Sequence, residues 1–265
     1  MAEADAARDA GVPAPVTPPD VVSPDVGPPP AAAAAGEMSL VDHLAELRDR
    51  LVRVLIVVAL ASVVGFLFSD QLISILKSPI PGNKPLFFTG LGDAFVIKLK
   101  ISVVVGIILA MPVILWQVWG FVAPGLTPNE RRVARPWLPL ALGFFALGTL
   151  IAYLILPYAA GFLIGFETPD LQALITAGEY FDFVTTMFLA FGIIMEFPIL
   201  LFGLSRVGIV TSQRLASARR MSILAIAIFA TAITPGGDLV SPFALGVTMY
   251  VLFEGTIFFI RRSGK

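Results

Sequence analysis

Cysteine is absent from the 265 residues and histidine occurs once, at His43. The first absence removes disulfides, thiolate catalysis and cysteine-held metal or haem. The second removes the paired-histidine zinc signatures. Charge is scarce too: Asp, Glu, Lys and Arg make up 14% of the chain, where a soluble domain carries about 25%. The net charge of -1 and an isoelectric point near 5.8 exclude a nucleic-acid binder working through a basic surface. No GxxxxGK[ST] stretch occurs, which argues against ATP hydrolysis by this chain. What abounds is apolar, 57% of residues with mean hydropathy +0.88, the composition of a polytopic membrane protein.

Residues 1–37 are Ala, Pro and acids, with eight of the 21 prolines and no aromatic residue. Such a segment buries too little apolar surface to offset the cost of ordering, so it reads as a disordered tail. It lacks the positive start and apolar run of a signal peptide, and the first membrane helix is expected to act as its own insertion signal. A membrane domain follows over 38–262, then a short tail, 263–265.

Six apolar stretches lie at 51–69, 99–120, 137–160, 182–204, 220–234 and 241–260. An even number places both termini on one side. The segments on that side hold 14 of the 18 basic residues (four before or at the first span, three in the second-to-third loop, four in the fourth-to-fifth, three at the C-terminus), leaving Lys77, Lys84, Lys98 and Lys100 opposite. The bias of basic residues makes the first side cytoplasmic. The far-side loops are acidic and rich in Pro and Gly, which predicts compact turns. The expected fold is all-α with six transmembrane helices, both termini cytoplasmic, and short fifth and sixth helices. The fifth, between Arg220 and the turn at Pro235, would reach roughly 21 Å against a bilayer core of about 30 Å. Either it thins the local bilayer, or the helix begins earlier, near Ser212, with Arg219 and Arg220 snorkelling.

Polar groups in this setting carry the functional information. Before the first span, SLVDHLAELRDRL places Leu40, Leu44, Leu47 and Leu51 at helical spacing, an amphipathic helix along the membrane surface with Ser39 as a candidate cap. Glu46 and Arg48 project from that stripe. Glu46 could pair with Arg50 at i,i+4, and Asp49 with Arg53, as a solvated face. In APGLTPNERR, Thr127, Pro128 and Glu130 form a capping box, an adequate structural job for Glu130. Yet Glu46 and Glu130 also flank the membrane as two carboxylates, a pair suited to a ligand with two guanidinium groups. Glu196 lies mid-span in FGIIMEFP, where a carboxylate costs a few kcal/mol and marks function by default; Pro198 predicts a kink there. Glu254 can reach the interface near Arg261. The TPGGD turn sets Thr234 and Asp238 at the outer end of the fifth helix. Pro112, Pro139, Pro157 and Pro198 fall in three of the spans and predict a kinked, rigid frame.

These motifs together, HLAELRDRL at 43–51, MPVILWQVWGFVAPGLTPNERR at 111–132, FGIIMEFP at 191–198, the TPGGD turn and MYVLFEGTIFF at 249–259, resemble the TatC family of twin-arginine protein translocases. The resemblance spans about residues 38–262. It implies a non-enzymatic receptor and core subunit in a prokaryotic cell membrane, recognising folded proteins whose N-terminal signals carry two adjacent arginines, with export driven by the proton motive force. It implies that Glu46 and Glu130 contact the arginine pair, with Arg48 beside them. Glu196 and Thr234 would meet the signal peptide or single-span TatA/TatB-like partners, and Asp238 would be the acidic residue of the last outer loop. Self-association in a larger complex, and no cofactor or metal, are implied as well. The sequence departs from the family at the extra glycine of TPGGD and at Pro242, where some members have Gln. A proton-coupled small-solute transporter using Glu196 is the alternative, although the internal repeat such transporters commonly show is not evident.

Overall fold

The computed structural model describes residues 40–206, 208, 210–234 and 237–262. The expected tail at 1–37, Ser39, Pro235 and Gly236 of the turn, and 263–265 lie outside them. Contacts divide the chain into two units at His43. Only the opening turn of the first helix is described in the first unit; the second, Leu44–Lys265, carries all the other helices.

The described residues are helical apart from turns, loops and two isolated bridges. The helices are α1 (Leu40–Leu67), α2 (Ser69–Lys77), α3 (Asp93–Val122), α4 (Pro128–Ala134), α5 (Trp137–Ile164), α6 (Ala177–Ile194), α7 (Phe197–Arg206), α8 (Ser212–Ser217), α9 (Arg219–Ile233) and α10 (Val240–Arg262). Among the described residues, five stretches are long and apolar enough to cross a membrane: α1, α3, α5, α6 continued by α7, and α10. The surface helix and first span form one unbroken helix, because nothing between Leu40 and Leu67 interrupts it.

One expectation about helix length is corrected, and one of two alternatives falls away. The last helix is not short: α10 has 23 residues, about 35 Å. The fifth apolar stretch is short and does not begin at Ser212, since α8 is a separate turn of helix and α9 restarts at Arg219. Its 15 residues reach about 22 Å.

Proline explains the break between α6 and α7. Pro198 has no N–H for the carbonyl of Ile194, and its ring crowds that carbonyl. The helix therefore ends at Ile194 and resumes at Phe197, so the break precedes the proline by a few residues. Pro139 falls in the first turn of α5 and costs no hydrogen bond, whereas Pro112 and Pro157 lie inside unbroken helices.

Glycine sets the closest approaches. On α5 and α6, Cβ atoms at Gly148 and Gly192 would fall 2.5 Å from the Phe191 carbonyl oxygen and 2.6 Å from the Phe145 ring. Residue numbers rise on one helix as they fall on the other, so these two run antiparallel. A Cβ at Gly106 would lie 2.2 Å from Ser62 Oγ, and one at Gly65 2.9 Å from the Ser102 carbonyl oxygen, which brings α1 antiparallel onto α3 through small residues. The core between α3, α5, α6 and α10 includes Ile101, Leu156, Phe181, Val184, Leu245 and Ile257.

At the end where α3 begins, the loops are compact as expected. Phe87 donates to the Ile175 carbonyl at 3.0 Å and accepts from the Ala177 N–H at 2.7 Å. Lys84 pairs with Glu167, Lys98 with Asp70 and Lys100 with Asp182. The Tyr180 hydroxyl donates to the Leu76 carbonyl at 2.7 Å.

Candidate functional site

The other end of α3 brings together the polar residues of the HLAELRDRL segment. One helical turn separates Glu46 from Arg50 on α1, and that spacing faces them to each other. Arg50 donates from Nε at 2.9 Å and from Nη2 at 2.5 Å, both to Glu46 Oε1. Its Nη1 reaches α3, donating to the Gln117 side-chain oxygen at 3.2 Å. The guanidinium lies over Gly120, where a Cβ would stand 2.2 Å from Nη1. Arg50 and Glu46 side chains are 20% and 24% exposed, so the pair is largely withdrawn from water. Sequence reasoning does not single out Gln117 and Gly120; a glutamine inside an apolar helix is the signal available for the first.

Arg48 is different, 75% exposed and bonded at 2.9 Å to Asp49. Asp49 thus takes Arg48 in place of the expected Arg53. Both groups face solvent, where such a pairing is worth little.

Glu130 sits just past the same end of α3, on α4. The capping box is complete: the Glu130 N–H donates to Thr127 Oγ1 at 3.4 Å, and Glu130 Oε2 accepts from the Thr127 N–H at 3.0 Å and its hydroxyl at 2.8 Å. The cap satisfies backbone donors that the first helical turn leaves open. Glu46 and Glu130 therefore attach to one end of α3 through different neighbours, the first by Arg50 and Gln117, the second along the chain.

Glu196 occupies the break between α6 and α7, where its carbonyl accepts from the N–H groups of Ile199 and Leu200 at 3.1 Å and starts the next helix. Thr234 closes α9, its hydroxyl donating to the Ala230 carbonyl at 2.6 Å. Asp238 is buried, 3% exposed, and Oδ2 accepts from the Ser241 N–H at 2.8 Å and hydroxyl at 2.6 Å at the start of α10. Glu254 is held by Arg219 in a two-bond fork at 2.7 and 2.8 Å, which fastens the start of α9 to α10.

Three buried side-chain oxygens lack a hydrogen-bond partner among the described residues: Glu46 Oε2, Glu196 Oε1 and Asp238 Oδ1. All three belong to carboxylates that the sequence marks out. An unsatisfied buried acceptor forgoes about 1–3 kcal/mol. No cluster of three metal-ligating side chains occurs among the described residues.

Residues 42–247 match the family model for the Sec-independent protein translocase protein TatC. The TatC protein of Carboxydothermus hydrogenoformans is 34% identical over 223 residues, covering 83% of this chain and 92% of that protein. That of Desulforapulum autotrophicum is 38% identical over 230 residues, covering 84% of each. The crystal structure of the twin-arginine translocase receptor TatC in DDM matches with a TM-score of 0.73 and 34% identity, over 82% of this chain and 99% of that one.

Proposed function

The chain belongs to the TatC family of Sec-independent protein translocase proteins, and on that premise we propose that it is the receptor and core subunit of a twin-arginine translocase. Its apolar helices and family make it a translocase component of a prokaryotic membrane. The relatives give the small-solute transporter alternative no support.

In this reading Glu46 and Glu130, with Arg48 beside them, receive the paired arginines of a signal peptide on the cytoplasmic face. One observation carries it: Glu46 already binds a guanidinium, that of Arg50, in a largely buried setting. Charge-assisted contacts of this kind contribute about 1.5–3 kcal/mol each, less where water screens them, a strength suited to reversible recognition. The test is cross-linking of a twin-arginine signal peptide to membranes holding the full chain. Glu46→Ala with Glu130→Ala should lower the yield at least about tenfold; an unchanged yield overturns the receptor reading.

The six-span topology completes the proposal, with α9 as the short fifth span, a thinned bilayer around it and both termini cytoplasmic. Because the chain has no cysteine, single cysteines placed after α9 and after α10 can be labelled from one side of the membrane. Labelling of both from the same side contradicts this topology. Glu196 and Thr234 would face the signal peptide or single-span TatA/TatB-like partners, and Asp238 would order the last outer loop. The exposed apolar residues Ile228, Phe229, Phe243 and Val247 on α9 and α10 suit a partner helix or lipid. The subunit would also self-associate, and export would draw on the proton motive force.

A further inference from the structure

Glu46 offers no vacant, accessible acceptor. Its Oε1 takes both bonds from Arg50, and its Oε2 is buried without a partner. Arg50 is itself braced by Gln117 and rests where Gly120 leaves room for its guanidinium. An additional cation could not simply join this arrangement, because two guanidinium groups on one carboxylate oxygen repel each other and the second oxygen is closed off.

We propose that Arg50 is a resident competitor built into the signal site: a guanidinium that occupies Glu46 in the unliganded protein and yields it to a signal arginine by exchange. The inference rests on the receptor reading of Glu46. An incoming arginine returns the two planar donor bonds that Arg50 gives up, so like replaces like. A lysine ammonium returns a point charge without the fork and binds more weakly, yet it must displace the same guanidinium, so Arg50 lowers the affinity for both by one factor and leaves their ratio unchanged. Without Arg50 the competitor is gone, and both bind more tightly.

The experiment is titration of the purified full chain, in lipid nanodiscs, with labelled twin-arginine and twin-lysine signal peptides. Arg50→Gln should bind both peptides about three- to tenfold more tightly, with the preference for twin-arginine unchanged. Gly120→Ala pushes the guanidinium aside while keeping its charge and the rest of the site. It should tighten both peptides by less, and it decides the question should Arg50→Gln fail to fold. Weaker or unchanged binding, or a tightening of one peptide alone, overturns the exchange and makes Arg50 a prop for Glu46. Glu46→Gln separates the two readings. If it leaves twin-arginine binding intact, the receptor site itself is wrong; if it abolishes binding while Arg50→Gln does not tighten it, only the exchange fails.

Discussion

The two ends of α3 spend their charges differently. Where α3 begins, Lys84 and Lys100 pair with acids 83 and 82 residues away in the chain, and Lys98 joins Asp70. Where it ends, Arg50 pairs four residues away and Arg48 one, and Glu130 caps its own helix. The fork from Arg219 to Glu254, 35 residues apart, is a long-range pair in the arginine-rich part of the chain. Pairs made between distant segments staple loops together. Pairs made within one helical turn can open without unfolding anything, so the arginine-rich end has charge to lend to a ligand.

The sharpest way to test that division is from the middle, where Glu196 stands in the break of its span. Glu196→Gln keeps the shape and one oxygen but removes the ionisable group. Export of a twin-arginine cargo should fall severalfold while signal-peptide cross-linking stays at the wild-type level. Unimpaired export would remove Glu196 from the mechanism, and lost cross-linking would tie it to the receptor end.

A smaller effect is expected at the lysine-bearing end. The Lys84 ammonium, helped by the Ala173 N–H, holds Glu167 below the usual glutamate range. A carboxylate whose folded value is depressed stabilises the fold fully above its unfolded value, and that contribution is lost as the pH falls through the folded value. Glu167→Gln should therefore lower the melting temperature slightly at neutral pH, and the difference from wild type should vanish in acid below the carboxylate range. It should leave signal binding untouched. A binding defect in this variant would break the comparison, because the stapled end would then be acting on the other.

What can be read from sequence divides along the same line. The apolar spans, the Thr127 to Glu130 cap and the Glu46 to Arg50 pairing depend on neighbours within a turn of helix, and periodicity exposes them. The partners of Lys84, Lys100 and Glu254 depend on which helices meet, which periodicity does not contain. Asp238 reads as an acid in an outer turn, and its burial against Ser241 at the start of α10 is not legible there. The break at Met195 and Glu196 is legible to within a few residues because proline acts on the carbonyl four positions back. The length of α10 is not, because its last turn, Arg261 and Arg262, is charged and still helical.

Helix α1 also has mechanical meaning. It approaches α3 most closely where Ser62 and Gly65 meet Gly106 and Ser102, while Leu44, Leu51, Leu55 and Leu60 stay exposed. From Ser62 back to Glu46 is about 24 Å of helix. A tilt of roughly 10° about that crossing would carry the glutamate about 4 Å, more than the length of a hydrogen bond. In such a tilt the small-residue crossing would be the fulcrum, the stretch before it a lever arm, and the bond from Arg50 to Gln117 the latch that holds the arm down.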